Sequence, residues 1–149
     1  MAKENILINK YASIIYRIGQ IYFDDVLEEY NIGCGQQFFL LRISQNPGIG
    51  IIELAEKGYF DKGTTARAVK KLEDNGYIKR FADKQDKRIY RLYTTDEAIP
   101  VLDAINTSIN RWHDILTTGL SEEEISITNN SMGKMSENAY FRLQERKNK

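Results

Sequence analysis

Basic side chains crowd one stretch of the sequence, between positions 61 and 91. This stretch holds ten lysines and arginines against five aspartates and glutamates, a net charge of +5 in a chain of net charge zero. A basic segment in an otherwise acidic chain is typical of a protein that binds a polyanion such as nucleic acid. A solvated surface of mixed charge is the alternative that charge alone leaves open. The ten basic residues are Lys62, Arg67, Lys70, Lys71, Lys79, Arg80, Lys84, Lys87, Arg88 and Arg91.

The first half of this basic segment is predicted to be a helix from Lys62 to Asn75. Asp61 is a suitable N-cap, because its carboxylate can accept the free backbone N–H groups of the first turn. Gly76 stands where a left-handed residue ends a helix. A short helix from about Ile51 to Lys57 comes before it, and a tight turn separates the two. This order predicts a helix-turn-helix.

One face of the 62–75 helix carries groups that can contact DNA. A helix fits the major groove of B-DNA, where Arg67 can form a forked pair with a guanine and Thr64 can donate to a phosphate or touch a thymine methyl. Gly63 would let the helix N-terminus approach a phosphate closely. Thr65 and the apolar residues four and seven positions later have the spacing of a core face. An ordinary amphipathic helix is the alternative.

The second half of the basic segment is predicted to be a β-hairpin. Two strand-like runs, 77–82 and 88–95, flank a charged tip. An arginine on such a tip can enter a narrow minor groove, where the potential is most negative. Asp86 is placed to hold Arg88 extended by a bidentate pair, although a surface ion pair worth ~0–1 kcal/mol is the alternative. The tip residues assigned to DNA contact are Lys84, Lys87 and Arg88.

Long amphipathic helices are predicted on both sides of this module. Residues 5–30 form the first, with apolar side chains recurring every three or four positions between 7 and 21. A second helix covers about 34–44. Two more, over about 96–118 and from Ser121 onward, close the chain, the last opened by a capping box. Four helices, a basic hairpin and two helices together predict a winged helix-turn-helix.

The long helices are predicted to form a dimer. Residues 32–95 could fold as the DNA-binding winged helix-turn-helix without the long helices. Residues 1–31 and 96–149 are therefore assigned to dimerisation. The apolar rows at 7–21 and 102–116 then need a second copy, with packing inside one chain as the alternative. A two-fold dimer would present recognition helices to half-sites roughly 10 bp apart in an inverted repeat. The predicted fold class is mainly α with a small β-hairpin wing and terminal dimerisation helices.

Taken in order, these motifs resemble the multiple-antibiotic-resistance regulator (MarR) family of winged helix-turn-helix proteins. The similarity covers essentially the whole chain, and the motifs are specific as a set. Three positions depart from the family pattern: Gly63 stands where serine is common, Ala66 where threonine is common, and Ala98 where a glycine usually follows the wing. The segments that carry the resemblance are Ile32–Gln36, Glu53–Ala55, Asp61–Arg67, Leu72–Ile78 and Asp86–Arg88, with Leu92 and Thr95.

The resemblance implies a homodimeric transcription regulator, usually a repressor, whose affinity for double-stranded DNA falls when a small molecule binds. It also implies that Asp86 orients Arg88. By this comparison, DNA contact is carried onto Thr64, Thr65, Arg67, Lys71 and Arg88. Together with the charge pattern, the helix residues predicted to contact DNA are Lys62, Gly63, Thr64, Thr65, Arg67, Lys70 and Lys71.

A small-molecule effector site is predicted from aromatic and basic residues of the flanking helices. Members of the resembling family often bind aromatic or phenolic anions between the dimer helices and the DNA-binding lobe. An arginine beside tyrosines suits a carboxylate on an aromatic body. The alternative for these residues is that they fill the core and the dimer interface. Cys34 could be a redox switch, and the alternative for it is an inert small residue. The candidate ligand residues are Lys10, Tyr11, Tyr16, Arg17, Trp112 and His113.

Composition argues against an enzyme, a metal site and a cofactor. The single histidine excludes two-histidine metal motifs and leaves Ser-His-Asp catalysis without support. The single cysteine excludes a cysteine-rich zinc site and an intramolecular disulfide, which fits a reducing cytoplasm. No apolar run approaches the roughly 20 residues that span a bilayer. The prediction is a cytoplasmic DNA-binding regulator, with a winged helix used for protein–protein contact as the alternative function.

Overall fold

A computed structural model of the chain describes residues 6–148. Within that range, six α-helices and a two-stranded antiparallel sheet follow the order of a winged helix-turn-helix, which confirms the predicted fold class. The chain divides into two compact units, Met1–Asn110 and Arg111–Lys149. The elements are α1 (Leu7–Leu27), α2 (Cys34–Gln45), α3 (Ile51–Lys57), α4 (Lys62–Asp74), β1 (Ile78–Ala82), β2 (Tyr90–Thr94), α5 (Ile99–Leu116) and α6 (Glu122–Lys147).

One hydrophobic core organises the first unit. It takes side chains from the end of α1, from α2, α3 and α4, from both strands and from the first half of α5. Burial of each large apolar side chain contributes about 1.5–3 kcal/mol relative to exposure. Because α4 and the hairpin share this core, their relative orientation is set by packing. The largest fully buried side chains include Phe39, Leu27, Leu40, Ile43, Leu54, Leu72, Ile78, Leu92 and Ile105.

Both ends of α4 have the local structure that the sequence predicts. At the start, Asp61 Oδ1 accepts the backbone N–H of Thr64 at 2.7 Å. Beyond the end, Gly76 has a φ of 79°, in the left-handed region that favours glycine. The hydroxyl of Tyr77 then donates to the carbonyl of Tyr30 at 2.7 Å, which ties the start of the hairpin to the segment after α1.

The hairpin is fastened to the loop between α2 and α3. Its strands pair antiparallel, with Arg80 opposite Leu92 at the centre. The backbone N–H of Gly48 donates to the Leu92 carbonyl at 2.8 Å, and the Leu92 N–H donates to the Ile49 carbonyl at 3.0 Å. Gly48 itself has a φ of 87°, which residues with a side chain rarely adopt. This bridge acts as a short third strand beside β2.

The first helix ends earlier than predicted. The first helix ends at Leu27 and not at residue 30, because a 3-10 turn over Glu28–Tyr30 and a left-handed Asn31 with a φ of 60° stop it. Its predicted start at residue 5 lies outside the described residues. The last helix continues to Lys147, with Asn148 as its C-cap. Position 149 lies outside the described range.

Apolar side chains along α1 remain at the surface of the chain. They belong to the apolar row at 7–21, which was predicted to need a partner. The most exposed side chain in this row is Ile21, at 63%. The whole of α6, 26 residues long, contains no buried residue. Each helix therefore carries apolar groups that the single chain leaves in solvent. The exposed members of the α1 row are Leu7, Tyr11, Ile18 and Ile21.

The apolar row on α5 behaves differently in its first half. Ile105 is fully buried, and Leu102 and Ile109 pack against the core of the first unit. The expectation that the row at 102–116 needs a second copy is therefore wrong for these three positions. The reason is that the hydrophobic core of the winged helix-turn-helix does not end at residue 95 and includes side chains of α5.

Candidate nucleic-acid interface

The basic face of α4 lies opposite its core face, and Thr65 belongs to the core. Thr65 is fully buried, and its hydroxyl donates to the Asp61 carbonyl at 2.8 Å. This position corrects the assignment of Thr65 to DNA contact, because a hydroxyl inside the core reaches neither base nor phosphate. Its spacing had predicted the core face. The exposed residues of α4 are Lys62, Gly63, Ala66, Arg67, Lys70, Lys71 and Asp74, and Thr64 is half-buried.

Three side chains form a chain of hydrogen bonds at the start of α4. The Thr64 hydroxyl donates to Asp61 Oδ2 at 2.9 Å, and Arg67 Nη2 donates to Thr64 Oγ1 at 3.3 Å. The guanidinium therefore lies over the first turn, where a Cβ on Gly63 would come within 3.2 Å of its Nη1. Because the Thr64 hydrogen is already donated to Asp61, Thr64 must rotate before it can donate to a phosphate.

The two lysines in the second half of α4 differ in their partners. Lys70 Nζ lies 3.3 Å from Asp74 Oδ2, an exposed pair one helical turn apart. Such pairs contribute about 0.3–0.5 kcal/mol and are screened by salt. Lys71 has no ion pair within residues 6–148. Its charge is therefore available to a polyanion, whereas that of Lys70 is partly balanced.

The predicted bidentate pair is present at the hairpin tip. Arg88 Nε lies 3.0 Å from Asp86 Oδ1 and Nη2 lies 3.1 Å from Oδ2, while the Arg88 backbone N–H also donates to Oδ1 at 3.1 Å. The Arg88 side chain is nevertheless 90% exposed. These hydrogen bonds lower the pKa of the Asp86 carboxyl and raise the pKa of Arg88, so both stay charged at neutral pH. The fork limits rotation of an outward-pointing guanidinium.

The other two basic residues of the tip are also accessible. Lys84 and Lys87 are both exposed. Neither forms an ion pair in the part of the chain that the structure describes. The tip therefore presents three cations, of which only Arg88 has a fixed orientation.

Arg80 forms its contacts within the winged helix-turn-helix, which the charge count did not predict. Its Nε lies 2.7 Å from Glu73 Oε2, and its guanidinium lies 5.4 Å from the centre of the Tyr90 ring. The pair joins β1 to the end of α4. Strand alternation was the available signal, because it places Arg80 on the same side of β1 as Ile78, which is buried. A partly buried arginine needs a carboxylate partner.

Asp83 organises the hairpin tip, a role that the sequence reasoning also missed. Its Oδ1 accepts the backbone N–H groups of Gln85 at 2.8 Å and Asp86 at 3.0 Å, and its Oδ2 accepts Arg91 Nε at 3.0 Å. These hydrogen bonds, the backbone ones foremost, lower the pKa of the Asp83 carboxyl. The signal in the sequence was an aspartate at the start of a tight turn, where its side chain commonly accepts the N–H two residues on.

The six residues predicted to bind an effector do not all lie in one compact unit. Those on α1 are exposed on the helix surface, and Lys10 Nζ lies 5.9 Å from the centre of the Tyr11 ring. These two residues are neighbours in the sequence, so their contact does not by itself assemble a ligand site. The α1 residues are Lys10, Tyr11, Tyr16 and Arg17, and those in the second unit are Trp112 and His113.

Cys34 begins α2 and is half-buried. Burial raises the pKa of its thiol, and Asp24, whose Oδ1 accepts the Cys34 backbone N–H at 2.8 Å, raises it further. A raised pKa lowers the fraction of thiolate, which is the reactive form. These contacts favour the inert interpretation of Cys34 over the redox one.

Across residues 6–148, no group of three or more histidine, cysteine, aspartate or glutamate side chains is placed to hold a metal ion. In that same range, no helix has both the length and the apolar character needed to cross a membrane.

The shared core of α3, α4 and the hairpin, with basic side chains on its outer face, defines a winged helix-turn-helix of the kind found in transcriptional regulators. A model of the MarR family matches residues 35–90. A regulator from Bacillus subtilis, described as an HTH-type transcriptional regulator, is 34% identical over 76% of this chain and 73% of its own. The chain therefore belongs to the MarR family, whose members are transcriptional regulators and not enzymes.

Solved structures extend the similarity to the flanking helices. A MarR transcriptional regulator from Methanosarcina mazei is 37% identical, with a TM-score of 0.80 over 89% of this chain and 96% of that one. A MarR family regulator from Listeria monocytogenes, solved in complex with a 26mer DNA, is 25% identical, with a TM-score of 0.83 over 91% of this chain and 93% of that one. Because these structures cover 89% and 91% of this chain, the similarity extends beyond residues 35–90 into the flanking helices.

Proposed function

We propose that this protein regulates transcription by binding double-stranded DNA, with α4 in the major groove and the hairpin tip in the minor groove. The observation that carries this proposal is Arg88, whose guanidinium Asp86 holds outward at 90% exposure. The negative potential of a narrow minor groove attracts such a group. The proposed DNA contacts are Lys62, Gly63, Thr64, Arg67, Lys70, Lys71, Lys84, Lys87 and Arg88.

The proposal includes a homodimer. The apolar row on α1 and the whole length of α6 lie at the surface of the chain, where apolar groups favour burial against a partner. A second copy would cover them by the same surfaces on both chains. The two recognition helices would then contact half-sites roughly 10 bp apart in an inverted repeat.

Repression and release by a small molecule complete the proposal. Bound DNA is withheld from transcription, and an effector that favours the unbound conformation lowers DNA affinity. Lys10 and Arg17, beside tyrosines on α1, suit the carboxylate of an aromatic or phenolic acid. We place this activity in the cytoplasm, where the single cysteine would stay reduced.

Fluorescence anisotropy tests DNA binding directly. The full-length protein is titrated into labelled duplex from the region upstream of its own gene and into random duplex of equal length, at several salt concentrations. We expect tight binding to the upstream duplex, with log K falling steeply against log salt because phosphate contacts release counterions. Addition of aromatic acids to the complex then tests effector release.

Two results would contradict the proposal. Equal, weak binding to both duplexes would remove sequence-specific recognition at this site and require a wider search of genomic DNA by selection. Absence of binding to any selected duplex would favour the other use of a winged helix, contact with a protein partner.

A further inference from the structure

A continuous series of contacts joins the hairpin tip to the loop between α2 and α3. It begins at the tip, where Asp83 accepts the backbone N–H groups of Gln85 and Asp86. It continues through the ion pair between Asp83 and Arg91, at 3.0 Å. It ends at the loop, where Arg91 Nη1 lies 3.5 Å from the carbonyl oxygen of Gly48. Asp86, the last tip residue in the series, also holds Arg88.

Arg91 lies on β2 and contacts both ends of this series, Asp83 at the tip and Gly48 in the loop. The next residue, Leu92, is fully buried and pairs with the α2–α3 loop through two backbone hydrogen bonds. Arg91 therefore starts from a backbone that packing holds still. Its side chain is 39% exposed and that of Asp83 is 21% exposed, whereas Arg88 at the tip is 90% exposed. The pair lies beside the tip without being its outermost charge.

We propose that Asp83 and Arg91 form a positioning pair that holds the hairpin tip at a fixed place relative to the helix-turn-helix. In this role Arg91 does not contact DNA. It acts through Asp83 and the tip backbone on Arg88, and so sets where Arg88 meets the minor groove. The inference rests on the proposed DNA-binding function and gives a role to two residues to which neither the charge pattern nor the family resemblance assigned one.

Chemistry distinguishes this role from that of a phosphate contact. The Arg91 side chain is 39% exposed against 90% for Arg88, and its Nε and Nη1 both have acceptors within the fold, so it is less accessible to a second anion. Asp83 is acceptor-only when ionised and would repel phosphate unless Arg91 balances it. Removing Arg91 therefore both releases the tip and leaves an uncompensated negative charge beside the DNA.

The test compares three variants with the wild-type protein on the same operator duplex. Arg91→Met removes the ion pair and keeps most of the side-chain length. Asp83→Asn keeps an oxygen that accepts the tip N–H groups but loses the charge. Lys79→Met is the matched control, because it removes one exposed cation from the same hairpin without touching the pair. We expect about two- to fivefold weaker binding for the first two, because the pair is partly exposed, and a smaller change for the control.

The decisive comparison places the double variant Asp83→Asn, Arg91→Met, which removes both charges of the pair, in an Arg88→Ala background. A positioning residue that acts through Arg88 causes no further loss there, since its target is gone. A further loss of the same size in both backgrounds would overturn the inference and make Arg91 an independent contact. Wild-type affinity for Arg91→Met would overturn it too.

A measurement without DNA separates this inference from the proposed function. Amide hydrogen exchange, read by NMR, should be faster at Gln85 and Asp86 in Arg91→Met than in wild type and Lys79→Met, with circular dichroism confirming that each variant is folded. Unchanged exchange would overturn the positioning pair even if the wild type binds DNA. Faster exchange, together with failure of the wild type to bind any duplex, would support the positioning pair and reject the DNA-binding function.

Discussion

At the scale of single residues, the hairpin tip depends on ionised carboxylates. The folded chain lowers the pKa of both Asp83 and Asp86 below the ordinary value of 3.8. A lowered pKa means that their hydrogen bonds stabilise the fold fully above that value, and that this contribution is lost as pH falls through the lowered pKa. The tip is therefore intact at neutral pH, and the orientation of Arg88 does not change across the physiological range.

Substitution of Arg88 by alanine tests the wing contact. We expect weaker binding across many DNA sequences and a salt slope smaller by about one, because a minor-groove arginine contributes charge without reading a unique base pattern. The measurement is anisotropy against salt concentration, with Lys79→Ala as the control for loss of charge from the same hairpin. An unchanged slope would remove Arg88 from the contacts.

Substitution of Arg67 by alanine tests base reading on α4. If the guanidinium leaves Thr64 and forms a fork with a guanine, the variant loses ~1–3 kcal/mol of discrimination at one base position. Affinities for a set of operators changed one base at a time measure this loss, with Lys71→Ala as a comparison that should weaken all of them alike. Equal weakening by both variants would make Arg67 a phosphate contact instead.

At the scale of elements, α4 depends on a cap that lies beside the proposed DNA surface. Asp61→Ala removes the acceptor for the Thr64 backbone N–H, which we expect to lower the free energy of unfolding by ~0.5–2 kcal/mol. Asp61→Asn keeps an acceptor and is the matched control. Urea unfolding at one fixed protein concentration measures both, since the stability of a dimer depends on concentration. Equal stability of the two variants would show that the cap contributes nothing.

Only part of the hairpin structure could be predicted from the sequence. Its strands, its charged tip and the Asp86–Arg88 pair follow from alternation and from spacing within a few residues. The isolated bridge between Ile49 and Leu92, which lies beside β2, does not follow from the sequence pattern. It joins residues more than forty positions apart, and only the packing of α2 and β2 brings them together.

At the scale of the whole molecule, the exposed apolar row on α1 predicts a dimer. Ile18→Glu and Ile21→Glu place charges where the second copy would pack, so we expect a monomer at concentrations where the wild type is a dimer. Both positions are exposed in the single chain, so the fold of each protomer should survive. Sedimentation velocity measures the oligomeric state, and Ser13→Glu, on an exposed position outside the row, is the control.

A dimeric Ile18→Glu, Ile21→Glu double variant would contradict this assignment of the interface. A monomeric wild type at micromolar concentration would contradict the dimer itself. If the variant is monomeric, its affinity for an inverted repeat should fall to that for a single half-site, because the second recognition helix is no longer linked to the first.

Sequence alone determined the features that depend on neighbours along the chain. The Asp61 cap, the left-handed Gly76, the core-facing spacing of Thr65 and the forked pair at the tip all follow from contacts within about four residues. Tertiary structure decided which charges face outward. Arg80 and Arg91 looked like free cations of the basic segment, yet each is paired with a carboxylate seven or eight positions away. A side chain chooses such a partner only after packing has placed both backbones, so the pairing is a property of the fold and not of the local sequence.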